Sequence, residues 1–263
     1  MNQLVERDLE QLLRARERSE ARLAEPATSG YLLPAASGYL LLAAEVDAHP
    51  HLWTSRTKRY LIETAASWCA RIARDAGVLE AVTFKAILVP PIGEAAFLRR
   101  RPNEFHRARF DLVVLVQTDS VERAEALRND VLFRTLENRM REEAGHVYVV
   151  AAGNAKRIGA VDHARDGVFL FNYFYADSQP QNLAAWEQAA GWFRQQTGLD
   201  NGTLLRPAQA DLSEYTLIDH CRWDRLRDVL PALLFKRSFR EAVLERFDAN
   251  DTGAMPILYR LAA

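Results

Sequence analysis

The second half of this 263-residue chain repeats the first half, and this duplication constrains the fold more than any other feature of the sequence. The segment 38–50 reappears at 167–180, each copy opening on a glycine and closing on a proline. Further matches follow in the same order: Trp68 with Trp192, Pro90 with Pro207, Phe110 with Tyr215, and Phe133-Arg134 with Phe239-Arg240. Collinear matches of this kind indicate a duplicated structural unit.

Each copy predicts the element order strand, helix, strand, strand, helix, strand. The segments 38–46 and 168–176 are apolar and aromatic, as buried strands are. The segments 59–76 and 183–196 carry apolar residues at helical spacing. A βαββαβ unit is the ferredoxin-like motif, which leaves one sheet face without helices, and that face must be buried. The predicted fold class is therefore α+β: two tandem ferredoxin-like βαββαβ repeats packed sheet to sheet as a barrel, with an extra N-terminal helix.

This pattern divides the chain into four parts. We expect an N-terminal helix and connector over 1–37, a first repeat over 38–153, a linker over 154–166 and a second repeat over 167–263. The leucine stripe of the N-terminal helix would pack on its own chain or on a partner subunit, so a monomer and a homodimer both stay open. Asp119 and Asp224 end the third strand of each copy, where an aspartate is expected to cap the following helix.

The amino-acid composition limits the classes of partner that we expect for this chain. The formal net charge of −1 gives no basic excess for binding nucleic acid, and no apolar run is long enough for a membrane span. Cys69 and Cys221 are expected to be buried thiols, which fits a reducing, cytoplasmic location. The basic run Arg99–Arg101 is expected to be exposed surface or, alternatively, a lid over an anionic ligand.

Candidate site residues are those at which the second copy departs from the first. It has Asn172 in place of Ala43, and a stretch of third-strand replacements: Asp219 for Val114, His220 for Leu115, Arg222 for Gln117 and Trp223 for Thr118. Each unpaired polar group costs about 1–3 kcal/mol when buried. Such a cluster therefore indicates a ligand cavity or an internal polar network. Strand alternation places Asp219 and Trp223 on one face, and His220 and Arg222 on the other.

The segment Phe-Asp-Leu-Val-Val-Leu-Val-Gln-Thr-Asp-Ser from Phe110, followed by Phe133, resembles the third strand and second helix of the dimeric α+β barrel superfamily. The nearest resemblance is to its antibiotic-biosynthesis-monooxygenase-like branch. There an asparagine on the first strand and a tryptophan ending the third line the cavity, and Asn172 and Trp223 match these places. Haem-degrading members also need a histidine on the following helix, where this chain has Leu230, Leu233, Leu234 and Phe235.

The resemblance implies a small apolar or aromatic molecule bound in the second repeat and oxidised by oxygen without a metal or flavin. The predicted catalytic residues are Asn172, His220, Arg222 and Trp223, and the predicted substrate-binding residues are Tyr173, Tyr175, Asp219 and Arg206. No metal site and no resident cofactor are predicted, although haem stays possible, with His220 as the candidate ligand. The alternatives are a non-catalytic binding or assembly protein, in which His220 is a hydrogen-bonded core histidine.

Overall fold

The computed structural model describes residues 37–51 and 53–262. The strands are β1 (Gly38–Glu45), β2 (Val78–Leu88), β3 (Leu112–Thr118), β4 (His146–Gly159), β5 (Val168–Ala176), β6 (Gly202–Pro207), β7 (Leu217–Trp223) and β8 (Thr252–Leu261). The helices are α1 (Arg56–Ile72), α2 (Ala96–Arg99), α3 (Val121–Arg128), α4 (Val131–Glu143), α5 (Gln179–Thr197), α6 (Leu226–Phe235), α7 (Arg237–Phe239) and α8 (Glu245–Ala249). A 3₁₀ turn spans Ala210–Leu212, and a π-helical turn spans Arg240–Leu244 between α7 and α8.

The eight strands form a closed antiparallel barrel in the order β1-β3-β2-β8-β5-β7-β6-β4. Within it each repeat keeps the ferredoxin-like order, β4-β1-β3-β2 in the first and β8-β5-β7-β6 in the second. The repeats join along two seams, where β2 pairs with β8 and β4 pairs with β6. The predicted α+β barrel of two packed repeats is therefore confirmed.

Three apolar clusters fill this architecture. The barrel interior is packed with rings, among them Phe84, Phe110, Phe169, Phe171, Tyr173, Tyr215 and Tyr259. The other two clusters lie outside the barrel, each between one repeat's sheet and its helices. One aromatic pair recurs in both outer clusters, as Trp68 on Phe133 at 5.5 Å between ring centroids and Trp192 on Phe239 at 5.3 Å. The duplication thus extends to side-chain packing.

Strand register corrects one equivalence inferred from the sequence. Asn172 lies opposite Asp219 in the β5–β7 pair, and Leu42 lies opposite Val114 in the β1–β3 pair. Asn172 therefore corresponds to Leu42, whereas Ala43 points into the barrel interior. Matching the opening glycines misplaces the first strand by one residue, and in a strand one residue reverses the face.

Several predicted boundaries also differ from the structure. Ser120, not Asp119, caps α3, its Oγ accepting a hydrogen bond from the Arg123 N–H. Arg225, not Asp224, is the N-cap of α6, and Asp224 instead pairs with Arg222 at 2.9 Å. Strand β4 continues to Gly159, so residues 154–159, expected in the linker, are strand. The predicted N-terminal helix lies outside the described residues.

Candidate functional site

A cavity lies over the second repeat, between the outer face of its sheet and its helices. Its empty space is about 670 Å³, including its opening. The walls are largely apolar and come from β5, β7 and β8 below, and from α5, α6 and the segment α7–α8 above. The floor of the cavity consists of outward-facing residues of β5 and β7. These residues alternate with inward-facing ones along each strand and lie side by side across the ladder.

Two polar side chains, Asn172 and Asp219, lie on this floor. They are opposite each other on β5 and β7, and both line the cavity. Asn172 is only 9% exposed, and its Oδ1 has no hydrogen-bond partner among the described residues. The carboxyl group of Asp219 is surrounded by protein atoms, while part of the residue is still accessible to solvent. The carboxyl group accepts hydrogen bonds from the Trp186 indole and from the backbone N–H of His220. The floor therefore places one buried, unpaired amide oxygen and one carboxyl group beside the cavity.

Burial changes the acidity of this floor. It raises the pKa of Asp219 to about 7, although the hydrogen bonds from Trp186 and His220 lower it in part. Cys221, the next outward-facing residue on β7, has a pKa well above its usual value because of burial and the nearby Asp219 carboxyl. Its thiol stays neutral. Asp219 is thus the group on the floor that changes charge near neutral pH.

Trp223 forms part of the aromatic wall. It is 5% exposed, and its Nε1 donates to Thr197 Oγ1 at 3.0 Å, which fixes the indole against the end of α5. Phe193 packs against it at 5.9 Å between ring centroids and also lines the cavity. These rings give the cavity flat apolar surfaces that suit an aromatic ligand.

Of the predicted site residues, Asn172, Asp219 and Trp223 meet at this cavity, and the others lie elsewhere. Tyr173 and His220 point into the barrel interior, both fully buried. Tyr175 stacks on Phe105 at 4.5 Å and donates to Glu104. Arg206 is exposed on β6. Placing Tyr173, Tyr175, His220 and Arg206 at the cavity was wrong. The first three lie on the faces of β5 and β7 that point away from the cavity, and Arg206 lies on β6, which does not line it.

Arg222 has a structural position instead of a catalytic one. Its guanidinium pairs with Asp224 and donates to the backbone carbonyl of Asp166, which holds the linker between the repeats against the barrel end. The basic run Arg99–Arg101 is likewise engaged, with Arg101 pairing with Asp177 at 2.6 Å and lying over the Phe97 ring. Neither the run nor Arg222 lines the cavity.

His220 belongs to a chain of hydrogen bonds that crosses one end of the barrel. Its Nδ1 lies 2.9 Å from the Leu170 carbonyl, and its Nε2 lies 2.8 Å from Nε2 of His163. His163 Nδ1 in turn lies 2.6 Å from Glu80. A carbonyl only accepts, so His220 carries its proton on Nδ1 and its Nε2 accepts from His163. Burial, together with His163, holds the pKa of His220 well below its usual value, so the ring is neutral.

His163 continues this chain of hydrogen bonds. Its Nε2 donates to His220, and its Nδ1 is hydrogen-bonded to the Glu80 carboxyl group. The structure therefore supports the interpretation of His220 as a hydrogen-bonded core histidine.

The cavity lining does not fit a histidine-ligated haem. No histidine lines it, and both ring nitrogens of His220, the predicted ligand, are bound inside the barrel. Over the part of the chain that the structure describes, no three metal-binding side chains come together. Among the lining residues, Asp219 and Cys221 carry the side-chain groups that commonly bind iron, and neither supplies an imidazole.

Known structures resemble this barrel. An anthrone oxidase-like protein has a TM-score of 0.57 at 14% identity, with 90% of this chain and 93% of the other covered. A candidate monooxygenase from Fusobacterium nucleatum has a TM-score of 0.55 at 7% identity, covering 88% and 94%. Both alignments span the whole duplicated barrel. This chain has the dimeric α+β barrel fold.

A chlorite dismutase from Candidatus Nitrospira defluvii is more distant, with a TM-score of 0.46 at 9% identity over 92% of this chain and 94% of the other. The sequence matches no family model and no curated protein. Among the described residues, no helix is long and apolar enough to cross a membrane.

The residues of the upper half of the cavity were not predicted from the sequence. Trp186, Phe193 and Phe239 face the floor from the helices, and the duplication gave no sign of them as site residues because they occupy ordinary core spacing. One signal was present: small residues at 185, 189 and 190 form one face of α5, and a helix with such a face leaves space beside a sheet.

Proposed function

We propose that this protein binds a small aromatic molecule in the cavity of the second repeat and oxidises it with molecular oxygen. The observation that carries the proposal is the cavity floor, where a free amide oxygen and a carboxyl group of raised pKa lie under apolar and aromatic walls. A concave apolar site with a few convergent polar groups is the usual form of a small-molecule site.

The floor suits a ligand with an acidic hydroxyl or an activated C–H group. Asn172 Oδ1 accepts a hydrogen bond from a ligand donor, and Trp223 and Phe193 pack against the rings. The first repeat has Leu42 and Val114 at the positions of Asn172 and Asp219, and both are packed against its helices. The polar pair therefore lies on the outer sheet face beside the cavity, and the matched positions of the first repeat are apolar, which supports a ligand-binding role over a packing role.

Asp219 is the proposed general base. A pKa near 7 places this carboxyl where it takes and returns a proton at working pH. It removes a proton from an activated CH₂ group of the substrate, and the resulting carbanion forms a C–O bond with O₂. The peroxide takes the proton back from Asp219, and loss of water then breaks the O–O bond and the remaining C–H bond to leave C=O. The overall balance is CH₂ + O₂ giving C=O + H₂O, with all four electrons accepted by O₂ and no metal or flavin required. The shared fold with the anthrone oxidase-like protein motivates this choice of reaction.

The test measures oxygen uptake and quinone formation with an anthrone as substrate, for the wild type and two variants. Asp219→Asn keeps the shape and the Trp186 hydrogen bond but removes the base, so turnover should fall at least about 100-fold. Asn172→Leu introduces the first-repeat residue and should weaken binding. Asn129→Ala, on the exposed end of α3, is the control and should change neither.

Three outcomes decide between function classes. Loss of turnover in Asp219→Asn with binding intact supports the oxidase. Binding that depends on Asn172 without any oxygen uptake shows a non-catalytic binding protein instead. If no anthrone or naphthol ligand raises the melting temperature or changes Trp fluorescence, the cavity is structural and the proposal fails.

A further inference from the structure

A second, open pocket adjoins the cavity on its outer side. Ile92, Leu233, Phe239 and Leu244 line both spaces, so these four side chains form the boundary between them. The outer pocket has about 700 Å³ of empty space and is completed by Pro91, Leu234, Phe235, Lys236, Arg237 and Arg240. We call it the vestibule. A molecule entering the cavity from this side passes between the four shared side chains.

The cover over this passage consists of α6 and of one helix over 237–249, in which α7, the π-helical turn and α8 follow one another without a break. Pro231 removes one backbone donor inside α6. Phe235 is 83% exposed at the vestibule, next to Leu234 at 41%. The π-helical turn widens the helix beside the passage, a feature that is frequent at functional sites.

The charged residues of the vestibule are all basic. Lys236 Nζ lies 2.7 Å from Gln196 Oε1, and Arg237 pairs with Glu241 on the same helical segment. Arg240 is exposed and makes no hydrogen bond or ion pair with any described residue. Among the residues that the structure describes, no aspartate or glutamate lines the vestibule. Lys236 and Arg240 therefore give the vestibule a positive charge beside an apolar passage, and salt weakens its attraction for an anion because both side chains are exposed.

We propose that the substrate is an aromatic acid, whose anionic group lies in the vestibule beside Arg240 and Lys236 while its ring system occupies the cavity. The inference rests on the proposed function, because it concerns the same cavity. The two ends of the site have opposite charge preference, since Asp219 at the floor repels an anion and the vestibule attracts one. An aromatic acid therefore binds in one orientation, with its neutral, hydrogen-bonding end toward Asn172.

The experiment compares two fluorescent probes that share one ring system and differ in charge. 8-Anilinonaphthalene-1-sulfonate carries an anionic group, and N-phenyl-1-naphthylamine is its neutral analogue. Dissociation constants of both are measured by titration for the intact protein and for the double variant Lys236→Glu/Arg240→Glu. The control is Arg134→Glu, because Arg134 follows Phe133 in the first repeat as Arg240 follows Phe239 in the second, and it is equally exposed.

The inference expects a selective effect. The double variant should weaken the sulfonate probe about tenfold or more, leave the neutral probe within about twofold, and keep the melting temperature unchanged. Raising the salt concentration should weaken the sulfonate probe alone. The control should change neither probe.

The contrary outcomes separate the inference from the proposed function. If both probes bind and the double variant leaves the sulfonate probe unchanged, or weakens both probes equally, the vestibule does not select acids and the cavity proposal stands. If neither probe binds the intact protein, the cavity itself takes no aromatic ligand and both proposals fail.

Discussion

At the scale of single residues, Asp219 connects ligand binding to stability. A carboxyl group whose pKa is raised on folding binds its proton more tightly in the folded state than in the unfolded one. Its usual pKa is 3.8, and burial raises it to about 7. Stability therefore falls as the pH rises through this window, and above pH 7 the full cost of burying the charge is present. Residues that serve function in this way often reduce stability.

We predict that Asp219→Asn stabilises the protein at alkaline pH. The asparagine keeps an acceptor for the Trp186 indole but carries no charge, so the difference in unfolding free energy should be near zero at pH 4. It should grow up to pH 7 and then stay constant at roughly 2 kcal/mol, less than the full pKa shift implies because Asp219 is partly accessible. Urea unfolding at several pH values measures this. A pH-independent difference would mean that Asp219 does not titrate in this window.

The chain from Leu170 through His220 and His163 to Glu80 makes a second prediction at this scale. Nitrogen NMR at pH 7 should show His220 protonated on Nδ1 and not on Nε2. Glu80→Leu removes the hydrogen-bond partner of His163 Nδ1, so stability should fall by about 1–2 kcal/mol. Glu122→Leu, on the exposed first turn of α3, is the control. A proton on Nε2 of His220 would contradict the direction of this chain of hydrogen bonds.

At the scale of elements, the strands were predictable because they are buried on both faces. β1 and β5 have apolar residues facing the barrel interior and apolar residues facing the helices, so they stand out as continuous apolar runs. The same property hides which side chain faces which core. Alternation correctly separated Asp219 from His220, but it did not tell which face carries a cavity, and the one-residue shift at Asn172 was invisible without the strand partners.

The cover over the cavity leads to a prediction about local dynamics. In the first repeat the outer helix α4 is regular for 13 residues. Its counterpart over 237–249 is continuous but contains the π-helical turn Arg240–Leu244, and Pro231 removes a backbone donor from the preceding α6. Amide hydrogen exchange over 226–249 should therefore be about threefold or more faster than over 121–143. Equal protection of the two segments would show that the cover opens only with global unfolding.

At the scale of the whole molecule, the duplication explains why the fold could be predicted from the sequence more fully than the candidate site. Packing acts alike on both copies, so repeated residues such as Trp68 and Trp192 reveal the fold. A site arises in one copy, so it appears in the sequence as differences, and those include structural differences. Arg222 and His220 differ from the first copy because they hold the linker and its His163 against one barrel end, a requirement that arises only where two copies are joined.

Closure of the barrel predicts how the two repeats behave when they are separated. The two seams, β2 with β8 and β4 with β6, use the edge strands of both repeats, and the aromatic interior is shared between them. A repeat produced alone exposes one apolar sheet face and two unpaired edges, which favour self-association. We therefore expect fragments 1–159 and 160–263 to form oligomers separately in light scattering, and to give a one-to-one complex with the circular dichroism of the intact chain when refolded together. A fragment that stays a folded monomer would show that each repeat is stable without the seams.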